Sequence, residues 1–178
     1  LASVILAIAT SRLAWTEYAA MRSSTMSAPD LFVAHANAGA NLPFALGYRT
    51  RTDLLDRCAL AQTDFIAGLM PAAFLENLAN DCLSNADAAL AGMPVFGVAH
   101  VARAASLASL NNVDGFRAAL VDARIASPRE GWLVSRRMSL AVSNYARLDA
   151  PTRDALLPDI AVLASTAALR RDLAMLYV

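Results

Sequence analysis

Residues 94–128 read PVFGVAHVARAASLASLNNVDGFRAALVDARIASP, and this stretch decides the fold of the chain. Its apolar residues recur three and four positions apart, which is the spacing of one face of an α-helix. The pattern is interrupted at Asn111 and Asn112, a residue type that favours turns. The stretch therefore predicts a first helix over about 95–110, a tight turn, and a second helix over about 113–126.

The prolines at the two ends of this stretch, Pro94 and Pro128, lie 34 residues apart, and each opens a segment that contains glycine. That spacing is the length of one unit in arrays of stacked helix hairpins. Further helices are predicted over about 2–22, 31–40, 50–69, 72–91, 129–148 and 153–176. The last of these is either kinked by Pro158 or divided into two short helices. We therefore predict an all-α fold of stacked antiparallel hairpins, an α-solenoid of about 7–9 helices.

The composition favours helices and excludes an overall charge that attracts nucleic acid. Of the 178 residues, 57% are hydrophobic, and much of that content is alanine, the best helix former. Fifteen basic residues balance fifteen acidic residues, so we expect no nucleic-acid partner. All fifteen basic residues are arginine. This preference indicates either recognition of anions by the guanidinium group or a bias in codon usage, which would also explain the alanine content.

The first 22 residues form a separate apolar segment. Residues 1–10, LASVILAIAT, carry no charged side chain, and Arg12 and Trp15 follow them. One interpretation is the end of a membrane anchor, although ten apolar residues are fewer than the roughly 20 that span a bilayer. The other is an amphipathic helix, whose polar positions recur every seven residues at Ser3, Thr10, Glu17 and Ser24. We assign residues 1–22 to this segment and residues 30–178 to one helical domain.

Cys58 and Cys82 are the only cysteines, and they lie at equal distances from residue 70, the turn between two predicted helices. Residues equidistant from the turn of an antiparallel hairpin lie opposite each other, so we predict a disulfide. It would close a loop of 24 residues and indicate an oxidising compartment such as the periplasm. The alternative is a pair of small buried thiols in the core of the hairpin.

No pattern of residues indicates catalysis. Two histidines and two cysteines match no zinc-site spacing, and there is no phosphate-binding glycine loop or nucleophile motif. We therefore predict no catalytic, cofactor-binding or metal-binding residues. Candidates for an interaction surface, with core packing or surface solubility as the alternative, are His100, Arg103, Trp132 and Arg136. Arg136 and the adjacent Arg137 diverge by about 100° on a helix, so at most one can face a common site, and we expect a surface role for this pair.

Residues 94–128 resemble a degenerate tetratricopeptide repeat. Four residues agree with the family pattern of small and large positions: Ala104, Leu107, Leu120 and Ala123. The stretch departs from the pattern at Phe116, where alanine is usual, and at His100 and Arg103, which replace tryptophan and leucine. Residues 127–163 also resemble the tail of small envelope-associated repeat proteins of GC-rich proteobacteria. These resemblances imply stacked helix pairs that bind a protein partner in the cell envelope and accompany polysaccharide assembly or export.

Three functions are consistent with these patterns. The first is a non-enzymatic interaction scaffold, either periplasmic or anchored in the inner membrane through residues 1–22 and facing the periplasm. The second is an accessory subunit of an integral membrane complex, whose first helix packs against transmembrane helices. The third is a helical ligand-binding domain or an enzyme, with a pocket around His100, Arg103 and Trp132. We predict the first, with a protein partner and without a cofactor.

Overall fold

The chain folds into α-helices in a computed structural model, which describes residues 2–35, 42–165 and 167–175. These ranges contain no strand. The helices are α1 (Ala2–Ser24), α2 (Ala28–His35), α3 (Tyr48–Thr63), α4 (Ala72–Gly92), α5 (Gly97–Ser109), α6 (Val113–Ala126), α7 (Gly131–Ser143), α8 (Ala150–Ala164) and α9 (Ala167–Met175). Two short 3-10 turns, Phe65–Leu69 and Tyr145–Arg147, follow α3 and α7. The predicted all-α class is confirmed.

The helix predicted over 50–69 is shorter in the structure for a local reason. It ends as α3 at Thr63, because Asp64 adopts an extended conformation and its carboxylate caps the 3-10 turn that follows. Helix α2 replaces the helix predicted over 31–40, of which residues 36–40 lie outside the described part of the chain.

The last predicted helix is divided into α8 and α9, but the division is not at the proline. Pro158 lies within α8, whereas α8 ends before Ser165. Proline removes one backbone donor but leaves the rest of the helix free to continue when packing supports it. The sequence therefore predicted the interruption but not its position.

Helix α5 lies at the centre of the fold and packs against α3, α4, α6 and α7. Most of its side chains are small, which allows four neighbouring helices to approach its backbone closely. Its buried residues are Gly97, Val98, Ala99, Val101, Ala102, Ala104, Ala105, Ser106 and Leu107. Alanine in this helix therefore has a packing role.

The hairpin predicted over 94–128 is confirmed as α5 and α6. In the turn between them, Asn111 adopts a left-handed conformation with φ of 60°, which asparagine tolerates better than most residues. Asn112 then caps α6, because its side-chain oxygen accepts a hydrogen bond from the Gly115 N–H at 3.0 Å. The two asparagines thus serve different purposes in one turn.

The main contacts between α-helices join helices that are one or two apart in the chain, as stacked hairpins would produce. One connection departs from that order, since Arg136 of α7 bonds to Asp56 of α3 at 2.9 Å. The regular solenoid and the tetratricopeptide resemblance stay predictions.

Helix α1 contacts the rest of the fold through its second half, where Ala20 and Ser23 are buried and the helix packs against α3. Glu17 adds a polar link between the two helices. Its carboxylate accepts hydrogen bonds from the N–H groups of Leu46 at 2.7 Å and Gly47 at 3.1 Å, immediately before α3. The second half of α1 is therefore held by both packing and hydrogen bonds.

Candidate functional site

Cys58 of α3 and Cys82 of α4 form the disulfide that the sequence predicts. Their Cα atoms lie 5.7 Å apart, and both side chains are fully buried. The bond is compatible with an oxidising compartment such as the periplasm. Its burial favours a structural role, because a thiolate must reach a sulfur atom to exchange with it.

Two residues of the predicted interaction surface, His100 and Arg103, lie on α5 and bond to different partners. The Nε2 atom of His100 lies 2.8 Å from the Pro94 carbonyl oxygen, and its Nδ1 atom is buried with no hydrogen-bond partner among the described residues. Arg103 donates from Nε to Asp87 of α4 at 2.9 Å, in a pair that is partly exposed. His100 thus holds the turn before α5, and Arg103 joins α5 to α4.

The other two residues of that surface, Trp132 and Arg136, lie on α7. Trp132 is 44% exposed, and Arg136 donates to Asp56 from Nε at 2.9 Å and from Nη2 at 3.4 Å. The four candidate residues share no hydrogen bond or ion pair with one another, so they do not form one polar site. Their role in partner binding stays a prediction.

Arg137, the neighbour of Arg136, is fully buried, so the surface role predicted for it is wrong. Its guanidinium group donates from Nε and Nη2 to the carboxylate of Asp159 on α8, at 2.7 Å and 2.8 Å. Adjacent helical residues point about 100° apart, and here one direction leads to α3 and the other to α8. The sequence alone does not show which arginine faces which helix.

Residues 5–16 of α1, named the α1 arm below, form an exposed apolar helix. Every side chain of the arm that the structure describes is exposed, including Trp15 at 70% and Ile5 at 65%. Arg12 is the only charged residue in this segment. The arm therefore presents a largely uncharged, apolar surface.

The hydroxyl groups of the arm donate back to its own backbone. Thr10 and Ser11 donate to the Ala7 carbonyl oxygen at 3.0 Å and 2.7 Å, and Thr16 donates to the Leu13 carbonyl oxygen at 2.9 Å. Such bonds satisfy the donor of each of these hydroxyl groups within the helix itself. The polar residues of the arm are thus compatible with contact to an apolar partner.

An apolar cleft of about 540 Å³, named the C-terminal groove below, lies between α7, α8 and α9. Its apolar lining includes Met138, Val142, Leu156, Leu157, Ile160 and Leu173. Two polar residues are among its described lining, Tyr145 and Arg153, and Arg153 donates from Nη1 to the Tyr145 hydroxyl at 3.0 Å. A volume of this size is typical of small-molecule sites, which take about 300–1,000 Å³.

Helix α8, which forms one wall of the groove, is capped at its N-terminus by Asp149. Hydrogen bonds from the hydroxyl and the N–H of Thr152 lower the pKa of Asp149, the residue before α8. Arg117 of α6 adds a favourable charge at 3.6 Å from the same carboxylate. Asp149 is therefore ionised at neutral pH and fixes the start of α8.

Sequence reasoning missed this groove, although α8 carries a signal for it. Leu156 and Leu157 are adjacent, so they cannot both face the core of the fold. Leu156 is buried, whereas Leu157 is 57% exposed. A helix that carries more apolar residues than its buried face needs has a second apolar surface.

No protein family, curated protein or solved structure matches the chain. Within the described ranges, no group of three or more histidine, cysteine, aspartate or glutamate side chains is arranged to hold a metal ion. Among the helices of those same ranges, none combines the length and the apolar character needed to cross a membrane. Function must therefore be inferred from the α1 arm, the C-terminal groove and the disulfide.

Proposed function

We propose that this protein is a non-enzymatic interaction module of the bacterial cell envelope, which binds a protein partner through the α1 arm. The observation that carries the proposal is the exposure of an apolar helix whose second half packs against the fold while the described side chains of its α1 arm are exposed. Soluble monomers rarely expose contiguous apolar surface of several hundred Å², and larger patches mark interaction sites.

The exposed apolar side chains of α1 lie around the helix, and their summed area is close to that of one side of a protein interface. Six large apolar side chains of this helix are each more than half exposed: Ile5, Ile8, Leu13, Trp15, Tyr18 and Met21. Because a whole aromatic side chain buries roughly 150–250 Å², these six expose on the order of 600 Å². Each partner of a standard interface contributes about 800 Å².

We assign an aromatic pair on α1 as the anchor for the partner. The rings of Trp15 and Tyr18 lie 5.9 Å apart at an interplanar angle of 38°, and both side chains are more than half exposed. Tryptophan and tyrosine dominate the energetics of many interfaces, because they bury a large rigid surface and lose few rotatable bonds. We assign Trp15 the largest contribution.

The disulfide between Cys58 and Cys82 supports placement of this module in the periplasm. A function in polysaccharide assembly or export rests on the resemblance to envelope-associated repeat proteins alone. A second candidate is an accessory subunit whose α1 arm packs against transmembrane helices, and the internal hydrogen bonds of Thr10 and Ser11 favour it.

Site-specific photo-crosslinking in cells tests the proposal. A photoreactive residue replaces Ile5 on the arm in one variant and Ile125 on α6 in the matched control, since these isoleucines are 65% and 68% exposed. We expect discrete protein adducts from position 5 and none from position 125. Equal adduct patterns at both positions would contradict the proposal.

The two candidates differ in the partner that they require. For the interaction module, the adduct partner is extracted with the envelope proteins that need no detergent. For the accessory subunit, the adduct remains in the membrane until detergent is added. Substitution of Trp15 by alanine should reduce the adduct from position 5 in either case, because both partners use the same apolar surface.

A further inference from the structure

The C-terminal groove combines an apolar lining with a cationic group. Of the described residues that line it, Arg153 alone is charged, and Tyr145 is the other polar residue. Long apolar walls with one cation match the chemistry of an amphiphile that has an apolar body and one anionic head. A uniformly polar ligand would make no apolar contact with the walls. A neutral ligand would leave the guanidinium group without a counter-charge.

Arg153 differs from the arginines that hold the helices together. Among the described residues, five arginines lie within 4 Å of an aspartate carboxylate, namely Arg103, Arg117, Arg124, Arg136 and Arg137. Arg153 has no ion pair with any acidic residue in the part of the chain that the structure describes. No carboxylate among the described residues therefore neutralises its charge.

The guanidinium group of Arg153 is held in place while part of it stays available. Nη1 donates to the Tyr145 hydroxyl at 3.0 Å, Nε reaches the Asp149 carbonyl oxygen at 3.4 Å, and the group lies 5.1 Å from the centre of the Tyr145 ring. Its Nη2 group donates to no described residue. A carboxylate is a natural acceptor for such a group, because guanidinium and carboxylate form strong charge-assisted hydrogen bonds.

A buried ion pair behind the groove joins two of the helices that form its walls. Arg137 of α7 and Asp159 of α8 form a buried ion pair, and each is adjacent in the chain to a groove residue, Met138 and Ile160. The pair joins α7 to α8, the two helices that supply most of the groove lining. A binding site whose side chains are already ordered before the ligand binds has a smaller entropic cost of binding.

We propose that the C-terminal groove binds a single-chain fatty acid, with the alkyl chain on the apolar walls and the carboxylate on Arg153. This site is distinct from the α1 arm and from the pocket expected around His100. A ligand of this class is compatible with a cell-envelope location but does not depend on it. The proposal therefore stands independently of the function assigned to the arm.

Calorimetric titration with decanoate and with decanol, each kept in the monomeric range, tests this assignment. The two ligands share a chain length and differ in charge, so their affinity ratio reports the contact with Arg153. We expect decanoate to bind about tenfold more tightly than decanol, as one charge-assisted hydrogen bond provides. Equal affinities, or no binding of decanoate, would overturn the proposal.

Two variants locate the site. Arg153→Gln should remove the preference for decanoate and leave the affinity for decanol unchanged. Leu157→Gln should lower the affinity for both ligands about equally. Leu157 is 57% exposed, so its replacement does not disturb the core. Ile125→Gln, an exposed position outside the groove, is the matched control and should change neither affinity. Retention of the preference in Arg153→Gln would exclude this carboxylate site.

A second copy of the chain is the competing occupant of the groove. In that case the protein sediments as a dimer, Leu157→Gln converts it into a monomer, and decanoate leaves the dimer intact. That result would overturn the fatty-acid assignment. It would leave the crosslinking result from the α1 arm unaffected, so the two proposals can fail separately.

Discussion

Arg137 of α7 and Asp159 of α8 form a two-point ion pair in the interior, with N–O distances of 2.7 Å and 2.8 Å and exposures of 0% and 1%. The remaining Nη1 group of Arg137 donates to the carbonyl oxygens of Ala123 and Ser127 at 3.2 Å and 3.4 Å. One guanidinium group thus joins α7, α8 and the end of α6. Burial of a charge is tolerated here because its donors are satisfied.

Removal of the charge of Asp159 should strongly destabilise the fold. Asp159→Asn leaves the charge of Arg137 buried without a counter-charge, and we expect a loss of about 3–5 kcal/mol in the free energy of unfolding. Urea denaturation measures the loss. The control is Asp56→Asn, which breaks the more exposed pair with Arg136 and should cost less than about 1 kcal/mol. Equal losses in the two variants would contradict the importance of the buried pair.

The disulfide should resist reduction in the folded protein and contribute to its stability. A loop of 24 residues closed by a disulfide contributes about 3 kcal/mol in the chain-entropy model, so the double variant Cys58→Ala, Cys82→Ala should lose roughly that amount. Protein exported to the periplasm should show no reactive thiol in denaturant without reductant. Two reactive thiols per chain would show that the bond does not form.

Gly97 should tolerate no side chain, because it lies where α5 meets the end of α6. A Cβ atom at this position would lie 2.7 Å from the Cβ of Ser127 and 3.0 Å from a methyl group of Leu133. We expect Gly97→Ala to destabilise the protein by about 1–3 kcal/mol, as overpacking of a core does. Gly92→Ala is the matched control, since nothing lies within 4 Å of its added Cβ. It should be neutral or slightly stabilising in thermal unfolding.

The contact between α1 and the start of α3 should weaken in acid. Hydrogen bonds from the Thr50 hydroxyl and then from the Gly47 N–H lower the pKa of Glu17 below its usual value of 4.5. A lowered pKa means that ionised Glu17 stabilises the folded state above pH 4.5, and that this stabilisation is lost as the pH falls through the folded-state pKa.

Glu17→Gln tests this dependence. At pH 7 the variant should be less stable than the native protein by under about 1 kcal/mol, because the site is partly exposed to solvent. The difference should shrink as the pH falls through the lowered pKa of Glu17 in the folded protein, because native Glu17 then becomes protonated. A difference that is independent of pH would show that the carboxylate charge does not stabilise the contact.

Much of the fold could be predicted because helices depend on local spacing. The stretch at 94–128 predicted α5, the turn at Asn111 and α6, and each was found within two residues of its expected limits. Cys58 and Cys82 could also be paired in advance, because residues equidistant from a hairpin turn lie opposite each other. Both predictions use geometry that operates within one helix pair.

The candidate sites depend on contacts that no single helix defines. Arg136 and Arg137 have the same side chain and neighbouring positions, yet one bonds to Asp56 and the other to Asp159. The C-terminal groove likewise requires the relative placement of α7, α8 and α9.

The sequence by itself therefore determined the helical class, the central hairpin and the cysteine pair. Tertiary structure decided which arginine is buried, where the groove lies, and that the α1 arm is exposed along its whole described length. The physical reason is that helix formation follows periodicity within about a turn or two of chain, whereas burial depends on which distant helix covers each face.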